Sequence, residues 1–288
     1  MTATEVPAPS PGKRWRDLKK RAISAAVLGP GALLCAWLGA EAWTALMAVA
    51  VAVLCWEWVR LCGLRSHLWP GMALPATVFL ACAAAVNGQP LIGLGILLVG
   101  FVATWLAPPR LRRRAGPPPP ASWLAMGVLY IGIAGIALIS LRHDNDAGRG
   151  NVLFLFFVVW ASDIGAYVAG RIFGGPKLAP AISPGKTWSG AAGGLLSSMA
   201  VGWLAADWLV WGNPPALKVL WVAAILGIAT QLGDLLESWV KRHFKVKDSS
   251  MLIPGHGGLL DRLDGLMAAA PVAALLAFSV GYGVPLWR

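Results

Sequence analysis

Acidic residues are rare in this chain, and two of them stand where a charge is costly. Only 13 of the 288 residues are Asp or Glu. Asp163 lies inside the apolar run Trp160–Tyr167, and Asp234 closes the apolar run that ends at Gln231–Asp234. A carboxylate at membrane depth costs about 2.5 kcal/mol or more, so it normally faces a cavity, a partner or a metal ion. Both residues are therefore functional candidates, with a structural pairing to a nearby Lys or Arg as the alternative.

A dense group of cations follows Asp234. Its members are Lys241, Arg242, Lys245 and Lys247. Alone, such a group would be typical of a solvated basic loop at a membrane surface. The continuation Pro254–Gly258 favours a binding site instead, because glycines allow backbone amides to approach a phosphate closely. We therefore predict an anion-binding loop in this part of the chain.

Two further carboxylates come directly after the glycine-rich turn. If a helix begins at Leu259, Asp261 and Asp264 are separated by three positions and share one face of that helix. Hard carboxylate oxygens on one face, near Asp234, are suitable ligands for Mg²⁺ that bridges phosphates. The cations upstream would neutralise the remaining phosphate charge. The pattern predicts metal-assisted chemistry on a phosphate ester.

A third polar segment, Arg171–Trp188, contains Gly185-Lys186-Thr187. This triplet imitates the end of a phosphate-binding P-loop, but the first glycine of that motif would fall on Pro180, and no strand–helix–strand unit surrounds it. The segment is not a P-loop. Its Ser183 and Lys186 are nevertheless suited to contact an anionic headgroup at the interface.

The elements that carry these residues are apolar helices. The chain is 57% hydrophobic and 13% charged, with a mean hydropathy of +0.66, whereas a soluble domain is about half apolar and a quarter charged. The stretch 70–107 contains no charged residue, and about 20 apolar residues are enough to cross a bilayer. We predict an all-α, polytopic integral membrane protein.

Apolar segments predict nine transmembrane helices, of which the fourth and the eighth are short. They run over Ala22–Gly39, Ala42–Val59, Pro70–Val86, Leu91–Leu106, Trp123–Leu141, Val152–Gly170, Ser189–Trp211, Val219–Gly233 and Leu266–Val284. Nearly all Lys and Arg lie in alternate connections, namely Lys13–Arg21, Arg60–His67, Arg110–Pro120, Arg171–Trp188 and Asp234–Gly265. By the positive-inside rule these connections are cytoplasmic, which places the N-terminus inside and the C-terminus outside.

The same segments predict the organisation of the chain. A basic cytoplasmic tail (1–21) precedes an N-terminal group of transmembrane helices (22–109) and an Arg/Pro-rich cytoplasmic loop (110–120). The C-terminal catalytic transmembrane domain (121–288) carries cytoplasmic loops 171–188 and 234–265. We expect the first span to remain uncleaved rather than to be a signal peptide. The net charge of +11 is better explained by topology and anionic lipid than by nucleic acid, since no nucleic-acid-binding motif is present.

The segment Ser238–Asp264 resembles the signature of the phosphatidate cytidylyltransferases, or CDP-diacylglycerol synthases. It matches S-x-x-K-R-x4-K-D-S-S…P-G-H-G-G-x-x-D-R-x-D without a gap. Three upstream segments resemble that family in the expected order: Ser162–Tyr167, Lys177–Trp188 and Gln231–Ser238. The resemblance covers roughly the C-terminal half of the chain. Ile164 departs from it, because Ser or Thr is more usual after the Asp, and the departure removes a hydroxyl but leaves the carboxylate.

The resemblance implies that CTP and phosphatidate are converted to CDP-diacylglycerol and pyrophosphate at the cytoplasmic face of a bacterial-type inner membrane. The metal ligands expected are Asp163, Asp234, Asp261 and Asp264, holding Mg²⁺, with two divalent ions favoured and a monovalent ion left open. The substrate-binding residues expected are Ser183, Lys186, Lys241, Arg242, Lys245 and Lys247. The catalytic residues expected are Asp234, Asp261, Asp264 and His256. His256 would either exchange a proton or contact a phosphate from within the glycine-rich turn.

Two other classes of protein remain as alternatives. A transporter could use intramembrane carboxylates as an ion pathway, but it would not need the glycine-rich, cation-dense loop. A lipid kinase or a CDP-alcohol phosphotransferase is the second alternative, and the D-G-x2-A-R motif of the latter is absent from the sequence. The oligomeric state stays open, with a homodimer as one alternative.

Overall fold

The computed structural model describes residues 26–67, 69–106, 121–144, 146–209, 214–253 and 257–288. Within these ranges the chain forms nine helices and one β-hairpin. The helices are α1 Ala26–Leu38, α2 Ala40–Leu61, α3 Ala73–Val86, α4 Pro90–Leu106, α5 Ala121–His143, α6 Gly148–Phe173, α7 Trp188–Leu209, α8 Ala216–His243 and α9 Leu260–Val280. The hairpin pairs β1 Lys177–Ala179 with β2 Ser183–Thr187 in antiparallel register.

Each predicted apolar segment overlaps one of these helices, so the prediction of a helical, polytopic membrane protein is confirmed. Six helices are long and apolar enough to cross a membrane, namely α2 and α5 to α9. The described parts of α1, α3 and α4 are apolar but shorter than 18 residues. The basic tail 1–21 and the Arg/Pro-rich loop 110–120 lie outside the described residues.

The boundaries around the polar segments differ from the prediction. The eighth span was predicted to end at Gly233, but α8 continues through Asp234 to His243. The last span was predicted to begin at Leu266, but α9 begins at Leu260. A charged residue ends an apolar run without ending the helix that carries it, because charged side chains are compatible with helical backbone. Two polar helix ends thus replace much of the predicted loop.

The N-terminal helices pack on the rest of the bundle through α5. The indole Nε1 of Trp43 in α2 donates to the carbonyl of Leu138 at 2.9 Å, and that of Trp58 donates to the carbonyl of Trp123 at 2.8 Å. Both indoles are buried, and a buried indole N–H normally requires such an acceptor. These contacts fix the two ends of α2 against α5.

Close approach of α8 and α9 brings their polar ends together. A Cβ atom on Gly233 would lie 2.6 Å from the carbonyl oxygen of Asp264, and one on Gly265 would lie 2.7 Å from Cγ2 of Thr230. Real Cβ contacts are rarely this short, so the crossing requires glycine on both helices. As a result, Asp234 and Asp264 stand next to the point of contact.

Candidate active site

A cavity of about 670 Å³ lies among α6, the β-hairpin, α7 and the polar ends of α8 and α9. Its charged lining residues are Asp163, Arg171, Lys186, Asp234, Lys241, Asp248, Asp261, Arg262 and Asp264. Six of these belong to the predicted site, although the sequence separates the first from the last by about 100 positions. The fold therefore brings two of the four predicted lysines and all four predicted aspartates to one cavity.

The hairpin carries Lys186 to the carboxylate of Asp234. Lys186 Nζ lies 2.6 Å from Asp234 Oδ2, and both side chains are partly exposed to the cavity. This pair joins β2 to α8. The predicted loop 171–188 is instead the end of α6 followed by the β-hairpin. Lys186 lies on the second strand of that hairpin, which gives it a defined position.

Lys241 is held between two carboxylates. Its Nζ lies 2.6 Å from Glu237 Oε2, one turn earlier on α8, and 2.8 Å from Asp261 Oδ1 on α9. Glu237 has only 1% of its surface exposed. The two carboxylates therefore give the ammonium group a fixed position in the lining of the cavity.

Asp261 organises the loop that precedes α9. Its Oδ2 accepts hydrogen bonds at 2.8 Å from the amide and the hydroxyl of Ser249 and from the amide of Gly258. Together with Lys241 on Oδ1, these donors engage both carboxylate oxygens. Asp261 thus connects Lys241 of α8 to the loop that precedes α9.

Glu57 of α2 is a site-associated residue that sequence reasoning missed. Its side chain is fully buried. Its oxygens accept from the amides of Leu259 and Leu260 at 2.9 and 2.8 Å, and from the hydroxyls of Ser249 and Ser250 at 3.3 and 2.6 Å. A carboxylate at a helix N-terminus satisfies amides that lack a partner within the helix and interacts favourably with the helix dipole. Glu57 therefore holds the start of α9 from the N-terminal half of the chain.

A signal for Glu57 was present in the sequence. It stands in the apolar run Cys55-Trp56-Glu57-Trp58, so the argument that singled out Asp163 applies to it equally. Gly258 supports the same contact, since a Cβ atom there would lie 2.6 Å from Glu57 Oε1. The glycine is required for the close approach of the loop to this carboxylate.

Four of the other predicted residues do not line the cavity. Arg242 donates from Nε to the carbonyl of Ile182 at 3.2 Å and so binds the turn of the hairpin. Ser183 lies on β2, and Lys245 and Lys247 are exposed after α8, but these three do not line the cavity. His256 lies outside the described residues.

The carboxylates have the right donor type for a divalent cation. Carboxylate oxygens are the hard ligands that Mg²⁺ prefers, and the cavity has them on α6, α8 and α9. In the described part of the chain, no three His, Cys, Asp or Glu side chains converge closely enough to hold a metal ion. Lys186 and Lys241 neutralise two of the aspartates in this arrangement. The donor set fits Mg²⁺ in its chemistry.

Comparison with known proteins identifies the family of this chain. Residues 19–280 match the model of the Cytidylyltransferase family. A phosphatidate cytidylyltransferase from Brucella suis biovar 1 is 39% identical over 282 residues, covering 93% of this chain and 96% of the relative. Proteins of that name from Pseudomonas aeruginosa and Haemophilus influenzae are 38% and 35% identical, covering 93% and 91% of this chain and 100% and 99% of their own lengths. The chain belongs to the cytidylyltransferase family.

Proposed function

We propose that this chain is a phosphatidate cytidylyltransferase, which makes CDP-diacylglycerol and pyrophosphate from CTP and phosphatidate. Its family and the names of full-length relatives support this activity. The observation that carries it within the molecule is the single cavity that joins Lys186, Lys241 and four aspartates at one end of apolar helices. A nucleotide and a lipid headgroup can both reach such a cavity.

The reaction needs positioning and charge stabilisation rather than a covalent enzyme intermediate. A phosphate oxygen of phosphatidate forms a bond to the α-phosphorus of CTP, and the bond from that phosphorus to the bridging oxygen of the β-phosphate breaks. Pyrophosphate leaves with the electron pair. Lys241, fixed between Glu237 and Asp261, would bind the triphosphate. Lys186, on the hairpin, would bind the lipid phosphate.

Mg²⁺ is proposed as the cofactor, with two divalent ions expected. Asp163, Asp234, Asp261 and Asp264 would hold it, because these carboxylates line the cavity. A bound divalent cation would neutralise phosphate charge and align the attacking and leaving oxygens. Arg242, Lys245 and Lys247 do not line the cavity. Their proposed contribution is attraction of the anionic substrates over a longer range.

We also propose nine crossings of a bacterial cytoplasmic membrane, with the cavity and the N-terminus on the cytoplasmic side. The helix ends nearest the cavity carry basic residues, as in Arg171 of α6 and Lys241 of α8, which supports this orientation. Lys245→Cys and Arg288→Cys test it. In intact cells, a membrane-impermeant maleimide should label only the Arg288→Cys variant above the level of the native protein; the reverse pattern would overturn the orientation.

Pyrophosphate release by the detergent-purified protein tests the activity. Release should require phosphatidate, Mg²⁺ and CTP together, should fail with ATP, and should stop on addition of EDTA. ATP-dependent phosphorylation of a lipid would instead indicate a kinase. If folded protein released no pyrophosphate in several detergents and with several added lipids, that result would favour a transporter.

A further inference from the structure

An apolar cavity of about 350 Å³ adjoins the candidate active site. Its lining is contributed by α1, α2, α5, α6 and α9, together with Ile253 of the loop before α9. Apolar and small side chains dominate the lining, among them Gly29, Leu46, Leu54, Trp160, Leu263 and Met267. Arg262 is the single charged residue among the described lining residues. This composition suits a hydrocarbon chain far better than a nucleotide.

Arg262 lines both cavities. It borders the polar cavity beside Asp261 and Asp264, and it borders the apolar cavity between Leu259 and Leu263. At the start of α9, the aspartates therefore line the polar cavity, the leucines line the apolar cavity, and Arg262 lines both. A molecule with an anionic head and an apolar tail matches this arrangement, with its head beside the cation and its tail among the leucines.

The apolar cavity runs along the helices, away from the polar end. On α2 it extends from Leu54, one turn from Glu57, back to Leu46, which is about 12 Å of helix length. On α9 it extends from Leu259 to Met267. A ligand that entered at Arg262 would thus pass towards the middle of the apolar layer.

We propose that this apolar cavity holds an acyl chain of the lipid substrate while Arg262 stands at its phosphate. The inference rests on the proposed function and adds to it a binding site for the tail. Shape and charge favour this occupant, because Arg262 lines the apolar cavity and also the polar cavity that holds the lysines and aspartates. Recognition of the tail would let the enzyme select a phospholipid over a free phosphate monoester without an acyl chain.

Gly29→Leu tests the proposal by filling the cavity from α1. A Cβ atom on Gly29 would make only an ordinary contact, 3.7 Å from the Trp160 ring, so the variant can extend a side chain into the space. Gly31→Leu is the matched control, since Gly31 lies two positions along the same helix, has nothing within 4 Å of its Cβ position and does not line the cavity. Both variants replace a helical glycine by the same side chain.

Turnover is measured with dioleoyl and with dihexanoyl phosphatidate in detergent. Gly29→Leu should raise the KM for the dioleoyl lipid roughly tenfold, the loss expected when about two methylene groups are kept out of an apolar site. Its KM values for dihexanoyl lipid and for CTP should stay those of the native protein, as should all values of Gly31→Leu. A native KM for both lipids in Gly29→Leu, or an equal rise of KM with both, would overturn the acyl site.

Photolabelling provides a second readout that does not depend on a variant. Phosphatidate with a diazirine in mid-chain should label the α2 segment 46–54 and the α5 segment 131–138 of the native protein. Labelling confined to α3 and α4 would overturn the proposal. Absence of CTP-dependent turnover with either lipid, by contrast, would overturn the proposed function itself.

Discussion

The two ends of α9 are held in the same way but have different surroundings. At its start, buried Glu57 from α2 accepts the amides of Leu259 and Leu260. Beyond its end, Asp144, with 7% of its surface exposed, accepts the amide of Gly283 at 3.0 and 3.1 Å. Only the first carboxylate also contacts Ser249, which binds Asp261 in turn. Burial of a carboxylate therefore identifies an important contact, while its neighbours decide whether that contact serves the reaction.

The largest effect is expected for Asp261→Asn at the start of α9. The amide would pair poorly with Lys241 and would replace an acceptor that now serves Ser249 and Gly258. Loss of one such charged contact in an active site costs about 10²- to 10³-fold in turnover. CTP-dependent pyrophosphate release measures it, with the thermal midpoint as the control for folding. Native turnover by this variant would remove Asp261 from both the metal and the positioning roles.

Glu57→Gln should come next, with a turnover loss of about 10- to 100-fold, since a hydrogen bond to a charged group contributes about 1.5–3 kcal/mol. Gln keeps the volume but turns one acceptor oxygen into a donor that faces the N–H groups of α9. The start of α9 and the Ser249 loop should lose their defined position. The kcat is expected to fall more than the KM for CTP changes.

Glu57→Asp separates positioning from general stability. The shorter acid keeps the charge, so it should recover part of the turnover that Gln loses, while a cavity left by the missing methylene keeps the thermal midpoint low. Glu57→Gln with reduced stability and an unchanged kcat would show that the two ends of α9 are equivalent after all.

The residues that could do chemistry were more predictable from the sequence than the tertiary contacts that position them. The types and spacing of Asp261 and Asp264, and of Lys241 with its neighbours, carried the signature in one continuous segment. Glu57 was missed although the cost of a charge in an apolar run applied to it, because its partners are about 200 positions away. The distance along the chain hides a contact that the packing of α2 on α5 creates.

The hairpin and the long α8 were missed for a different reason. Hydropathy marks where an apolar run ends, and Gly233–Asp234 is such a point, but helical hydrogen bonds continue across it. Both strands of the hairpin are short, and β2 contains Pro and Gly, so their sequence lacks the alternation that predicts a strand. Helices were predictable from composition, whereas their polar ends depend on tertiary contacts.

Gly233→Ala should have an intermediate effect, because it acts on the spacing rather than on a charge. The added methyl group would meet the carbonyl of Asp264 and the side chain of Ala268, both at 2.6 Å. Separating α8 from α9 in this way costs typically 1–3 kcal/mol and shifts Asp234 relative to Asp264. Both the thermal midpoint and turnover should fall. Gly95→Ala on α4, where nothing lies within 4 Å of the Cβ position, is the control that should change neither.

The smallest effect on turnover is expected for Asp144→Asn at the far end. Gly283 would keep one carbonyl acceptor, and the neighbouring Asn151–Leu286 contact at 2.9 Å would still fix the segment after α9. The thermal midpoint should fall, because weakening a hydrogen bond to a charged acceptor costs up to about 1.5–3 kcal/mol. Turnover per folded molecule should stay within about twofold of the native value, since Gly283 lies beyond the end of α9 that is far from the cavity. If Asp144→Asn instead lost as much turnover as Glu57→Gln, the position of α9 would depend on both ends equally. The contrast between a carboxylate that serves the reaction and one that serves only the fold would then be wrong.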